Sequence, residues 1–163
     1  DREYHLKLSA LRERYPLKFG LLIGFDEGLA HRIEAGADLY LMPSLFEPSG
    51  LNQLYSLRYG TPPIVRATGG LADTIVDAPD DHLEAGKASG FRFQAYTSQA
   101  LLATIQRALD MYHHQPGRFL QLVRCCMRQD WSWDRSARGY VDLYERLVSE
   151  RNSGTASRLV EWS

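Results

Sequence analysis

The sequence predicts an α/β fold, a Rossmann-like parallel sheet with flanking helices, and three observations carry that expectation. Short continuous apolar runs recur along the first half of the chain, at Phe19-Gly-Leu-Leu-Ile23, Leu39-Tyr-Leu-Met42 and Ile64-Val-Arg66, as strands buried on both faces do. Stretches of helical apolar spacing separate them, which is the order of a βαβ unit. Loops rich in Gly, Pro and Ser follow two of the runs on their carboxyl side, where open parallel sheets bind their ligands. Composition agrees. The 163 residues are 44 % apolar and 24 % charged, enough for one cored domain and too apolar for extended disorder. A formal charge of −1, from 19 basic and 20 acidic side chains, excludes an overall basic footprint for nucleic acid. No apolar run reaches the roughly 18–20 residues that span a bilayer. Neither nucleic acid nor a membrane is therefore expected as a partner. Cys125 and Cys126 are adjacent and cannot frame a disulfide scaffold, so a reducing, cytoplasmic setting is expected.

Each element follows from local pattern. From Arg2 to Tyr15, Tyr4, Leu8, Leu11 and Tyr15 share one helix face, and Pro16 stops it. After the strand ending at Ile23, Asp26 is placed to cap a helix carrying Leu29, Ala30, Ile33 and Ala37. The strand at 39–42 leads through Pro43 into a loop at 44–50. A helix from Leu51 to Tyr59 follows, ended by Gly60. Beyond the strand at 64–66, Thr68-Gly-Gly70 reads as a turn and 71–76 as a short helix or turn. The polar stretch 77–89, with Pro79 and Gly86, reads as an excursion loop, and Gly90-Phe-Arg-Phe93 as a fourth strand. Three helices complete the pattern. The first, from Ser98, carries Leu101, Ile105, Ala108 and Tyr112. The second, started by Pro116, carries Phe119, Leu122, Val123, Cys126 and Met127. The third, with Asp134 as cap, carries Ala137, Tyr140, Val141, Tyr144, Leu147 and Val148. Residues 1–150 are expected to form the domain and 151–163 a tail, frayed from Gly154 onward. Four strands are fewer than a doubly wound domain normally has, and Asp1 follows no initiator Met, so the chain is expected to be part of a longer protein.

Chemistry concentrates in Pro43-Ser-Leu-Phe-Glu-Pro-Ser-Gly-Leu-Asn-Gln-Leu-Tyr55, a loop between a parallel strand and a helix. The free N–H groups of Ser49, Gly50 and Leu51 at the helix start attract an anion, most simply a phosphate. Glu47 stands beside them. A carboxylate there repels phosphate and suits the hydroxyls of an attached sugar, so the pairing points to a nucleotide-sugar. On spacing alone, a capping loop with a helix-dipole carboxylate is an equally good reading. Thr68, Gly69 and Gly70 offer bare backbone that lines the same site or forms a tight strand-to-helix turn. His5, His31, His82, His113 and His114 show no metal-ligand spacing, and His113 and His114 fit the surface. His31 reads as a packed or surface side chain. Asp80 and Asp81 read as a solvated loop, and Trp131 and Trp133 as core anchors before the last helix. No nucleophile elbow and no P-loop is present.

The block from Phe46 through Glu47-Pro-Ser-Gly-Leu51 to Thr61, then Ile64-Val-Arg66 and Thr68-Gly-Gly-Leu-Ala-Asp-Thr-Ile75, resembles the bacterial glycogen synthase and plant starch synthase family. The resemblance extends through Ile23-Gly-Phe25, His31-Arg-Ile33 and Gly36-Ala-Asp38 upstream, and through Ser89-Gly-Phe91 and Trp131-Ser-Trp133 downstream. It implies the C-terminal, donor-binding domain of a two-domain GT-B enzyme, N-terminally truncated. Such an enzyme moves glucose from ADP-glucose to the non-reducing end of an α-1,4-glucan with retention, and without a cofactor or metal ion. By position, Glu47 is then the catalytic-site carboxylate on the donor glucose. The backbone of Ser49, Gly50 and Leu51 holds the distal phosphate or the sugar. Phe25 stacks on the adenine where the family often has Tyr, Tyr55 joins the substrate-binding set, and Thr68, Gly69 and Gly70 lie near the phosphates or glucose.

Departures from the family are specific. Leu45 stands where Arg is frequent, which removes a cation, and Ser49 stands where Cys is frequent. Tyr55 occupies the place of a second Glu in the wider retaining GT-B pattern, as is usual in this narrower family. The family's Lys-Thr-Gly-Gly-Leu loop, its N-domain His, and the Arg and Lys of the first C-domain loop have no counterparts in this sequence. The implied partners are therefore ADP-glucose, an α-1,4-glucan acceptor such as glycogen or starch, and an N-terminal GT-B domain. The setting is cytoplasmic, or plastidic in a plant. A UDP-sugar-dependent GT-B enzyme and a non-catalytic nucleotide-sugar or glucan-binding module are the alternatives.

Overall fold

The computed structural model describes residues 2–152. Helix α1, Arg2–Arg14, comes first, then α2, Glu27–Gly36. Both ends of α2 are closed by side chains. The Asp26 carboxylate accepts from Leu29 N at 2.8 Å, and Thr61 Oγ1 donates to the carbonyls of Glu34 and Ala37 at 2.7 and 3.1 Å. Strand β1, Tyr40–Met42, is followed by α3, Asn52–Tyr59, and β2, Pro63–Arg66. Gly60 ends α3 in the left-handed region, its N–H reaching Leu57 O and Ser56 O. Short helices α4, Gly69–Thr74, and α5, Asp80–Glu84, precede β3, Phe91–Phe93. Helices α6, Ser98–His114, α7, Pro116–Arg128, and α8, Trp133–Asn152, complete the described chain.

The sheet is parallel, in the order β1-β2-β3. Leu41 faces Ile64, and Val65 faces both Met42 and Arg92. Helices α3 and α6 pack on this sheet, and α7 packs on both of them. Between them lies the core of Leu57, Ile64, Val65, Leu71, Ile75, Phe91, Ala108, Leu122 and Cys126, all buried. Each large side chain so buried contributes about 1.5–3 kcal/mol. Apolar positions predicted on the first two C-terminal helices face this core: Ala108, Leu122 and Cys126 are buried, and Ile105 and Phe119 pack against them. Cys126 Sγ donates to Ser89 O at 3.3 Å. Burial, with Cys125 beside it, pushes the Cys126 thiol up to about 12, which keeps it protonated and inert.

Several expectations are corrected. The run at 19–23 is not a strand; Leu22 and Ile23 are exposed. A strand exists only through its partner, and among the described residues this run pairs with no strand. The sheet therefore has three strands among the described residues. The segment at 77–89 is not a plain loop. Asp80 and Asp81 sit in the first turn of α5, where the helix dipole favours them, and Leu83 is driven into the core. Asp80 also pairs with Arg118 of α7 and is thus not a free loop carboxylate. The helix expected at 71–76 begins earlier, on the glycine pair itself.

Asp134 lies inside α8, and Ser132 takes the capping place, its Oγ accepting from Arg135 N at 3.4 Å. Trp133 is 86 % exposed rather than buried. Trp131 sits beneath the Arg135 guanidinium, 5.3 Å from the ring centroid. The whole apolar stripe of α8, Tyr140, Val141, Tyr144, Leu147 and Val148, is open. Helix α8 runs to Asn152, past the expected boundary at 150, and the tail from 153 lies outside the described residues. No helix among the described residues is long and apolar enough to cross a membrane.

Candidate functional site

Strands β1 and β2 point their carboxyl ends to the same sheet edge, and the two predicted loops, 43–51 and 67–70, meet there. They interlock through backbone. Gly70 N donates to Glu47 O at 3.0 Å and to Pro48 O at 3.3 Å. A Cβ on Gly69 would stand 2.0 Å from Glu47 O, and one on Gly70 would stand 2.0 Å from Ser49 O. Neither glycine can be replaced without parting the loops. The glycine pair therefore does more than turn the chain. It makes room for the first loop to lie on the second.

The outer surface of this joint carries the predicted anion site. The N–H groups of Ser49, Gly50 and Leu51 have no partner among the described residues. They crown α3, whose capping residue, Leu51, has no side-chain oxygen to satisfy them. Gly50 adopts φ +75°, a left-handed turn that brings two successive amides to one side. Glu47 is half-buried, and its carboxylate has no hydrogen-bond partner among the described residues. Thr68 spends its backbone N–H on Arg66 O at 2.9 Å and offers no side-chain cap to α4.

Phe25, Leu51 and Tyr55 come together around an adjacent cavity of about 650 Å³, which His31, Glu34 and Asn52 also line. That volume suits a small-molecule ligand. Phe25 is 95 % exposed, an aromatic face free to stack. His31 packs between the rings of Tyr55 and Tyr59, with centroid separations of 5.1 and 6.0 Å. Its Nδ1 lies 3.4 Å from Tyr59 Oη and 3.7 Å from Glu34 Oε2. Burial raises the Glu34 carboxyl above its usual range, opposed in part by His31. Leu51 belongs to both the cavity and the turn, which sets Phe25 and Tyr55 beside Ser49 and Gly50, whereas Gly70 is buried under the joint.

Two residues that sequence reasoning passed over support the loops from beneath. The Arg66 Nε donates to Ser44 O at 2.8 Å, and its Nη2 reaches Leu45 O. Its guanidinium also lies over the Tyr96 ring. A cation at the end of a buried strand is the signal that could have marked it. Gln53, fully buried on α3, is the second. Among the described residues, no three His, Cys, Asp or Glu side chains assemble as a metal site.

A parallel sheet with two loops and a cavity gathered at its carboxyl edge is the architecture of open α/β domains, which bind their ligands at that edge. The chain belongs to the family described as glycosyl transferases group 1, whose pattern matches residues 3–118. It is 57 % identical to the glycogen synthase of Thioalkalivibrio sulfidiphilus over 86 % of this chain and 29 % of that protein. It is 48 % identical to the glycogen synthase of Rhodopirellula baltica over 95 % of this chain and 31 % of the relative. Among solved structures it is similar to the catalytic domain of starch synthase IV from Arabidopsis thaliana bound to ADP and acarbose. That match has a TM-score of 0.78 and 36 % identity, covering 91 % of this chain and 31 % of the other. A sucrose-phosphate synthase from Thermosynechococcus elongatus shares the fold at a TM-score of 0.60 and 23 % identity, over 90 % of this chain and 35 % of that one. The chain thus spans about 30 % of the length of its glycogen synthase relatives. The expected fold class, the C-terminal domain of a GT-B glycosyltransferase, holds, with three strands among the described residues in place of four.

Proposed function

We propose that this chain is the donor-binding part of a glycogen (starch) synthase that transfers glucose, with retention, from ADP-glucose to the non-reducing end of an α-1,4-glucan. The observation that carries the reading is the pairing of an unpartnered carboxylate, Glu47, with the unpartnered amides of Ser49, Gly50 and Leu51 on one interlocked joint. The glycogen synthase relatives, and the similarity to a starch synthase with ADP bound, support it.

The amides of the α3 turn hold the phosphate next to the sugar and stabilise the charge that grows on it as the C1–O bond breaks. Glu47 accepts hydrogen bonds from the glucose hydroxyls and orients the ring. Phe25 stacks on the base, with Tyr55 and Leu51 walling the cavity, and Thr68, Gly69 and Gly70 carry the backbone beside the phosphates. The acceptor hydroxyl attacks C1 on the face that ADP leaves, and its proton passes to the departing phosphate oxygen, which preserves the anomeric configuration. This reading uses no metal ion. Closure against an N-terminal GT-B domain excludes water. The enzyme would work in the cytoplasm, or in a plastid if the source is a plant.

The base-stacking face by itself does not select the donor. The Phe25 face stacks any base, so a UDP-sugar enzyme shares the same geometry. Calorimetry with a donor panel decides between them. ADP-glucose binding supports the proposal, UDP-glucose binding alone supports the second reading, and glucan binding without nucleotide marks a non-catalytic module.

A further inference from the structure

Gln53 touches neither the cavity nor solvent, yet three hydrogen bonds converge on its amide nitrogen. Nε2 donates to Ser49 O at 2.9 Å and to Gly50 O at 3.1 Å, and lies 3.4 Å from Thr74 Oγ1. Thr74 Oγ1 in turn donates to Gly70 O at 2.5 Å. Those acceptors settle which end of the amide is nitrogen, because the reversed orientation would aim an oxygen at two carbonyls. Gln53 Oε1 is left buried without a partner. It fits only because residue 50 is glycine: a Cβ there would stand 2.4 Å away. An unpaired buried amide oxygen costs about 1–3 kcal/mol, so this is an expensive way to fill a core position.

Peptide geometry gives the arrangement its purpose. A trans peptide is planar and points its C=O and N–H in opposite directions. Ser49 C=O shares a plane with Gly50 N–H, and Gly50 C=O shares one with Leu51 N–H. Pinning both carbonyls inward on Nε2 therefore aims both amides outward. We propose that Gln53 is the positioning residue of the anion turn: its side-chain amide sets the direction of the Gly50 and Leu51 N–H groups. Through Thr74, it also keeps that turn in register with Gly70 on the second loop. This inference rests on the reading that the turn binds the phosphates of a nucleoside diphosphate. It predicts a loss specific to phosphate, because Gln53 has no contact with the base cavity.

The test compares ADP with adenosine as ligands of the complete enzyme, by calorimetry, with thermal melts as the fold control. Gln53→Met keeps the volume and removes the donor. The expected result is an ADP affinity about tenfold weaker, the scale of one or two lost hydrogen bonds, with adenosine affinity unchanged. Thr74→Val, which removes only the relay hydroxyl, should give a smaller loss of the same kind. It decides the matter if Gln53→Met does not fold: an ADP-specific loss sustains the proposal, and unchanged ADP affinity overturns it. Equal losses for ADP and adenosine in Gln53→Met, or no loss, overturn the positioning role while leaving the function standing. A wild-type enzyme that binds neither ADP nor ADP-glucose would instead defeat the functional reading on which the inference depends.

Discussion

Glu47 and Glu34 are carboxylates near the same surface, and their surroundings give them opposite parts. Glu47 is half-buried at the loop joint with its oxygens unengaged, the condition for a group that serves a ligand. Glu47→Ala in the complete enzyme is expected to lower turnover about 10²–10³-fold, the usual cost of one preorganised polar group, with little change in melting temperature. Unchanged turnover would return Glu47 to a helix-end role. Glu34 is buried between α2 and α3, facing His31 with Tyr59 behind it, and burial raises its carboxyl above the ordinary range. A carboxyl that holds its proton more tightly folded than unfolded stabilises the fold below the unfolded value, and that contribution is lost as pH rises through the folded one. Glu34→Gln should therefore melt above wild type at pH 8 and lose the advantage near and below pH 4.5, the ordinary value. An advantage that persists at acid pH would assign the effect to packing instead.

The elements that build the site differ in how far their residues announce them. Helix α2 was legible because Asp26 caps it, α3 because Gly60 ends it, and α7 because Pro116 starts it. These signals act within a few residues. Helix α5 was not legible, since a single turn is stabilised by Leu83 entering a core assembled from elsewhere. The joint between the loops is the sharpest case. The glycine pair was visible as a turn, but its contact with Glu47 O and Ser49 O involves residues far apart in the chain. Gly70→Ala is expected to cost about 1–3 kcal/mol through overpacking. It should lower activity about a hundredfold or more, because the misplacement falls on the anion turn. Gly139→Ala on α8, where a Cβ meets nothing within 4 Å, is the control and should be neutral or slightly stabilising. Equal effects of the two substitutions would dismiss the interlock.

Across the whole molecule, the apolar surface is unevenly satisfied. The sheet and α3, α6 and α7 bury a shared core, while α8 and the run at 19–23 present Leu22, Ile23, Tyr140, Tyr144 and Leu147 to solvent. The edge strand β1 adds Leu41. The isolated chain is therefore expected to self-associate at micromolar concentration in sedimentation velocity. Tyr144→Lys with Leu147→Lys should relieve that association without moving the melting temperature, because α8 contributes little to the core. If the proposed function holds, the chain alone should also fail to elongate a glycogen primer from ADP-glucose, since a two-domain cleft needs both walls. Transfer by the purified chain, free of contaminating synthase, would refute the two-wall argument.

What the residues determined by themselves is local: apolar periodicity, caps and breakers placed most helices, and three of the four expected strands formed, in a parallel sheet as expected. The loop after β1 was recognisable because glycine beside a helix start has a direct physical meaning. Tertiary structure decided everything that needs a partner. The run at 19–23 has strand composition but pairs with no strand among the described residues, and a strand is defined by its hydrogen-bonded neighbour rather than its residues. The stripe of α8 has core composition but is covered by none of the described residues, and Trp133 stands open. Gln53 and Arg66 look like ordinary polar residues in sequence, and only the folded backbone brings the carbonyls they hold to them. Hydrophobic period is read along the chain; hydrogen-bond satisfaction is settled across it.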